Sequence, residues 1–206
     1  DVATDFSVST ASKNLEAYVT DAGELPDGYT FQTGGVNEEN NKSVRSILLA
    51  MLLSAALIFA TMVMQFNSFR KAVIVLLVIP LAVSGVFVIF ALSGTPLSFP
   101  ALIGVLALFG IVVNNSIIMV DKINKNMDRM DDLDEAIAEG AASRLEPILL
   151  TALTTIVGLI PITLSDPIWQ GLGGAIIAGL TFSGVAKLFF IPVIYKSWFG
   201  QEKTSH

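Results

Sequence analysis

The chain has 206 residues, of which 53% are hydrophobic and only 15% are charged, and its mean hydropathy is +0.69. Soluble domains carry about 25% charged residues, so this composition predicts a membrane protein. The formal net charge of −6 argues against a nucleic-acid binder. One histidine and no cysteine exclude a histidine-based active site, a multi-histidine or cysteine-ligated metal site, a disulfide and a thiol nucleophile.

The first part of the chain, residues 1–45, has the patterning of a water-soluble segment with eight acidic and three basic residues. Apolar residues at helical spacing precede the turn Pro26-Asp27-Gly28, and an alternating strand-like run follows it. One helix and one strand cannot enclose a core. We therefore expect residues 1–45 to be the α/β remnant of a larger external subdomain. Because the chain begins at Asp1, we also expect it to be a fragment of a longer protein.

Five apolar stretches follow, and together they predict a transmembrane region over residues 46–199. About 20 helical residues cross about 30 Å of hydrocarbon, and each stretch approaches or exceeds that length. The stretches are too uniformly apolar for barrel strands, so the predicted fold class is an all-α membrane protein with a bundle of five transmembrane helices. The predicted spans are 46–66, 72–93, 100–120, 147–165 and 171–195.

The basic residues near the span ends predict the orientation. If residues 1–45 are external, the inner connections hold eight basic residues, and the outer connections at 94–99 and 166–170 hold none. The C-terminal tail, residues 200–206, is then cytoplasmic. The one long connection, 121–146, is predicted to contain a short amphipathic linker helix capped by Asp132, after which Pro147 opens the fourth span.

Polar residues interrupt three of the predicted spans at nearly one depth. Asn114 and Thr151 lie about 21 Å, and Lys187 about 24 Å, from the outer ends of their spans at 1.5 Å per residue. Together with Asn115 they suggest a hydrated cluster that relays protons or ions. The alternatives are a threonine bonded to its own helix, asparagines that join helices without transporting anything, and a lysine that reaches toward the interface.

Two absences limit what this chain can do by itself. No predicted span contains a carboxylate, so the cluster cannot be a complete proton pump. No glycine-rich phosphate loop is present, and no nucleophile and base occur at a plausible spacing. The sequence therefore predicts a transport protein, with no cofactor, rather than an enzyme.

Several motifs, in order, resemble the C-terminal end of a resistance-nodulation-division (RND) efflux permease of the hydrophobe and amphiphile, or multidrug, branch. They are LPDGYTFQTGGVNEEN, MQFNSFRKAVIVLLVIPLAVSG, GIVVNNSIIMVDKIN, RLEPILLTALTTIVGLIPI and LFFIPVIY. The resemblance implies the last five of twelve membrane helices, a proton-driven cycle and a homotrimer in the cytoplasmic (inner) membrane. It also implies a periplasmic adaptor and an outer-membrane channel as partners in a two-membrane bacterium.

The resemblance also assigns roles to single residues. Asn114 matches a family lysine that pairs with two aspartates of an earlier helix, Thr151 matches a relay threonine, and Arg144 matches an arginine at the inner mouth of the proton path. Since position 114 holds asparagine here, we expect either aspartates that cycle without an ammonium partner or another cation in its place. Our hypothesis is that Lys187 supplies that charge.

The sequence therefore predicts the C-terminal part of an efflux transporter that is driven by the proton-motive force and exports hydrophobic or amphiphilic compounds. The remaining N-terminal part of the permease would supply the missing carboxylates. Two other functions fit the same residues. One is export of a lipid or other cell-envelope component, and the other is a truncated or split membrane scaffold that transports nothing.

Overall fold

A computed structural model describes residues 36–203, together with residues 14, 17 and 18. The α/β remnant predicted for residues 1–45 therefore lies outside the described residues, apart from these three and the start of the first helix. The chain divides into two compact units, residues 1–46 and 47–206. The second unit holds the apolar helices, and the site described below lies entirely within it.

Six helices follow one another along the described range, which contains no strand. They are α1 (Val36–Phe66), α2 (Phe69–Leu76), α3 (Val78–Ser93), α4 (Phe99–Met127), α5 (Leu133–Ser165) and α6 (Pro167–Lys203). By length and composition, five helical segments of this range can cross a membrane: Lys42–Phe66, Phe69–Ser93, Phe99–Met127, Leu133–Ser165 and Ile168–Phe199. The predicted all-α membrane bundle is thereby confirmed.

Local sequence explains where the helices begin and end. Ser68 and Ser98 are extended residues whose side chains accept hydrogen bonds from backbone N–H groups in the first turns of α2 and α4. Gly94 ends α3 in the left-handed conformation, with φ of 68°, which glycine adopts without steric cost. The second apolar segment is split at Leu77, which separates α2 from α3.

The linker helix and the fourth span form one helix, which differs from the predicted break at Pro147. Asp132 caps α5 by accepting a hydrogen bond from the N–H of Asp134 at 2.9 Å, and the helix then runs through Pro147 to Ser165. Proline lacks an N–H, so an interior proline costs one helical hydrogen bond. Interior prolines are tolerated in membrane helices, where local adjustments and neighbouring groups compensate for the lost bond.

Helix α6 is the centre of the bundle, because it packs against α3, α4 and α5. Small residues permit the close approach. A Cβ added at Gly104 of α4 would lie 2.5 Å from the backbone oxygen of Leu172, and one added at Gly171 would lie 2.4 Å from Ser98 Oγ. Small residues at such contacts are the usual means by which membrane helices pack closely. In contrast, most of the apolar surface of α1 and α5 is exposed.

Candidate functional site

Two contacts fix the register of α4 against α6. A Cβ added at Gly179 would lie 2.1 Å from Cδ2 of Leu108, so the leucine side chain lies directly against this glycine. Sixteen residues further along both helices, the buried Tyr195 hydroxyl donates a hydrogen bond to Oδ1 of Asn124. In both contacts the partners are 71 residues apart. The two helices are therefore parallel and keep one register between these points.

This register places Lys187 and Ser116 at the same level. Each lies eight residues from both of the contacts that define the register, at the middle of the packed stretch. Ser183 precedes Lys187 by one helical turn and shares its face of α6, since residues four apart are neighbours on a helix surface. Asn115 precedes Ser116 on α4.

We call Asn115, Ser116, Ser183 and Lys187 the buried polar seam. Their exposed fractions are 5%, 0%, 0% and 1%. Ser116 Oγ donates to the Val112 carbonyl at 2.8 Å, which satisfies its proton. Among the residues that the structure describes, Asn115 Nδ2 and Ser183 Oγ have no hydrogen-bond partner, and Lys187 has no ion pair.

A second polar set lies on the surface of the bundle, and we call Asn114, Thr151 and Thr154 the exposed polar face. All three side chains are exposed. The threonine hydroxyls donate to carbonyls of their own helix, from Thr151 to Pro147 and from Thr154 to Leu150 and Thr151. Each hydroxyl oxygen keeps a lone pair that can accept another hydrogen bond.

The packing of α4 against α5 sets Asn114 and Thr151 at nearly the same level along the bundle. The helices are antiparallel, since Gly140 packs against Ile123 and the Asn126 amide donates to the Ala136 carbonyl at 3.5 Å. Continuing this register for eleven residues places Thr151 level with Val112. Asn114 lies two residues, or about 3 Å along the axis, from that level.

The five residues predicted from the sequence thus fall into three environments. Asn114 and Thr151 share the exposed polar face, and Asn115 and Lys187 lie in the buried polar seam. Arg144 is half-buried on α5, and its Nε has no hydrogen-bond partner among the described residues. The hypothesis that Lys187 supplies the charge missing at position 114 stays a prediction, although the two residues do not share a face. Ser183 is not among the residues predicted from the sequence, although its spacing of four from Lys187 is a signal for it.

Comparison with known proteins identifies the family. A model of the AcrB/AcrD/AcrF family matches residues 1–198. The chain belongs to this family of RND permeases. No group of three or more His, Asp or Glu side chains in the described part of the chain could hold a metal ion.

Individual relatives give the same family but not one substrate. The swarming motility protein SwrC of Bacillus subtilis is 35% identical over 176 residues, which cover 83% of this chain and 17% of SwrC. The toluene efflux pump membrane transporter TtgB of Pseudomonas putida is 28% identical over 189 residues, which cover 88% of this chain and 18% of TtgB. A crystal structure of a heavy metal efflux pump is 29% identical, with a TM-score of 0.72 over 93% of this chain and 20% of the pump.

This RND permease chain therefore spans no more than about a fifth of the length of these relatives. A solvent pump and a metal pump are about equally similar to it, at 28% and 29% identity. Membership of the RND efflux permeases follows from these similarities. Membership of the multidrug branch, which the motifs suggested, does not.

Proposed function

We propose that this chain is the C-terminal membrane part of a permease that is driven by the proton-motive force and exports hydrophobic or amphiphilic compounds. The exposed polar face carries this proposal. It sets Asn114 of α4 and Thr151 of α5, both exposed, at levels within about one helical turn of each other along the axis of an apolar bundle.

Polar groups in the middle of a membrane helix are costly unless protein or water covers them. Asn114, Thr151 and Thr154 are exposed on the five-helix unit, so a further part of the permease is needed to cover them. We propose that the covering helices carry the protonatable carboxylates. Asn114 would then donate its amide hydrogens to those carboxylates, and Thr151 would accept or relay a proton beside them.

The rest of the architecture follows the family. We propose an inner-membrane location, an external N-terminal segment, a cytoplasmic C-terminus and a homotrimer that works with a periplasmic adaptor and an outer-membrane channel. The distribution of basic residues supports the orientation. Arg144, whose Nε has no partner in the described residues, would lie near the inner end of the proton path.

A second substrate class has support of its own. The heavy metal efflux pump has a TM-score of 0.72 to this chain, and its identity is no lower than that of the toluene pump. Export of a divalent metal cation is therefore the alternative to export of amphiphiles. Export of a lipid or envelope component fits the same membrane helices, and a scaffold without transport is the remaining alternative.

A proton-coupled transport assay tests the proposal. The full-length permease is reconstituted into liposomes that hold a pH-sensitive dye, and an amphiphile, Zn²⁺ or Co²⁺ is added in separate reactions. We expect the amphiphile to release protons along the gradient and the metal cations to have no effect. Thr151→Ala should reduce this flux about a hundredfold, the lower end of what a positioned proton-transfer group contributes.

Thr181→Ala is the matched control. Thr181 is also exposed on a membrane helix, and its hydroxyl donates to the carbonyl four residues earlier at 2.8 Å, as that of Thr151 does. We expect this variant to retain the flux. Equal activity of the two variants would contradict a relay at Thr151. A flux elicited only by Zn²⁺ or Co²⁺ would replace amphiphiles with metals, and no flux with any compound would favour the scaffold.

A further inference from the structure

The buried polar seam offers hydrogen-bond donors and lacks acceptors for them. The Lys187 ammonium has three N–H donors and no lone pair, and the Asn115 amide has two further N–H donors on Nδ2. Neither Asn115 Nδ2 nor Ser183 Oγ has a partner within the described residues, and all three side chains are at least 95% buried. Buried polar groups in folded proteins are almost always paired, so these donors require an acceptor.

Ser183 differs from the other hydroxyls of these helices. Thr151, Thr163 and Thr181 each donate to a carbonyl four residues earlier, which is the usual arrangement in a membrane helix. Ser183 is fully buried and makes no such bond. Its hydroxyl is therefore free to bind a group beside Lys187, which lies one turn further along the same face of α6.

No carboxylate of the described residues neutralises Lys187. The Asp121 carboxylate is bonded to Lys125 at 2.7 Å, and Glu146 is exposed. A buried ammonium without a counter-charge is strongly unfavourable in the low dielectric of a bundle interior. An anion that accepts hydrogen bonds from Lys187, Asn115 and Ser183 would provide both the charge and the missing acceptor.

Burial indicates the size of this anion. Because Lys187 and Ser183 are almost completely covered by the helices of this one unit, a side chain from another helix would have to displace that packing to reach them. Gly184, one turn before Lys187, is buried, yet a Cβ added there would have no heavy atom within 4 Å. The surface of α6 beside Lys187 is thus not tightly filled, and a monatomic ion needs little room.

We propose that the buried polar seam binds a small monovalent anion, such as chloride, between α4 and α6. Lys187 Nζ, Asn115 Nδ2 and Ser183 Oγ donate to it. The site is separate from the exposed polar face, and it goes beyond the proposed export function because it requires binding and not transport. An anion at this position neutralises Lys187 inside the bundle, so the lysine does not serve as the charge missing at position 114.

The proposal is tested by measuring how the thermal stability of the full-length permease in detergent depends on halide concentration. Sodium gluconate is replaced stepwise by sodium chloride or bromide at constant ionic strength, and Tm is recorded. A ligand that binds only the folded state raises Tm in a concentration-dependent way. We expect a saturable rise for the unmodified protein and none for Lys187→Met. Lys196→Met, which removes an exposed lysine of the same helix, should keep the full rise.

Ser183→Ala provides a second test if Lys187→Met fails to fold, because the change is small and keeps the charge. Loss of one donor to a charged ligand should raise the half-saturating halide concentration about tenfold. Bromide should also give an anomalous diffraction peak between Lys187 and Ser183 in crystals of the permease.

A Tm that is independent of halide would overturn the proposal, as would a halide response that survives Lys187→Met. A carboxylate from elsewhere in the permease, seen beside Lys187 in those crystals instead of bromide, would overturn it too. None of these readouts involves transport, so failure of the anion site and failure of the proposed export function are distinguishable.

Discussion

The buried polar seam and the exposed polar face lie at similar positions along the bundle but in opposite environments. Asn114 and Asn115 are consecutive residues of α4, and the first is exposed while the second is 5% exposed. Successive residues of an α-helix point about 100° apart, so one face of α4 is closed by α6 and the other is left open. The difference shows that depth in the membrane and access to a partner are separate properties.

The buried face of α4 depends on small residues that let α4 and α6 approach each other. Gly104 of α4 and Gly179 of α6 lie at this interface, and each leaves no room for a Cβ against the facing helix. The exposed face of α4 depends on no such contact. Gly110, on the same helix as Gly104, has nothing within 4 Å of an added Cβ. Substitutions at these glycines should therefore separate the two sides of α4.

The largest effect is expected for Gly104→Ala. Its Cβ would lie 2.5 Å from the Leu172 backbone oxygen, which cannot move away as a flexible side chain can. We expect a destabilisation of about 1–3 kcal/mol, the usual cost of overpacking, measured as the free energy of unfolding in mixed detergent micelles.

Gly110→Ala is the control for this prediction. It adds the same methyl group to the same helix in open space, so it should be neutral or should stabilise by about 0.5–1 kcal/mol through helix propensity. If the two alanine variants were equally stable, the close packing of α4 on α6 at Gly104 would be wrong.

The membrane helices and the depth of the polar residues can be predicted from the sequence. The rotation of each helix cannot, and the physical reason can be stated. Apolar stretches and span-end signals predict membrane helices because length and hydropathy follow directly from composition. The similar depth of Asn114 and Thr151 follows from the rise per residue. Rotation about each helix axis does not, since it is set by which small residues meet, and only the packing at Gly104 and Gly179 separates Asn115 from Asn114.

The continuous helix α5 is a second feature that the sequence does not predict. Pro147 is a reasonable helix start in sequence terms, because its missing N–H is harmless in a first turn. The structure places it inside a helix of 33 residues instead. The tertiary contact of Gly140 with Ile123 holds the preceding turns against α4, so packing outweighs the local preference of proline. Such contacts are between residues distant in the chain and leave no local pattern.

An intermediate effect is expected at the far end of the packed stretch, for Tyr195→Phe. The Tyr195 ring is fully buried and stacks on Phe199 at 4.7 Å between centroids, and its hydroxyl donates to Asn124 Oδ1. Phenylalanine keeps the stacking and removes the hydrogen bond. We expect a loss of about 1 kcal/mol in the free energy of unfolding.

A double-mutant cycle with Asn124→Leu checks the assignment of this loss. If the loss of stability comes from the Tyr195–Asn124 hydrogen bond, Asn124→Leu should cost little more once Tyr195→Phe is present. The expected coupling between the two substitutions is about 1 kcal/mol. Fully additive costs would mean that the tyrosine stabilises the protein through its ring alone, and that this hydrogen bond does not fix the α4–α6 register.

The smallest effect is expected for Lys196→Met, on the residue next to Tyr195. Lys196 Nζ lies 2.7 Å from Asp134 Oδ2, which joins α6 to the first turn of α5, but both side chains are about 60% exposed. Water and salt screen such a pair, so removing it should change the free energy of unfolding by less than about 1 kcal/mol. The change should shrink further between 50 mM and 500 mM salt. A large effect that does not depend on salt would show that the rest of the permease covers this pair, so that an ion pair exposed in the five-helix unit is buried in the whole protein.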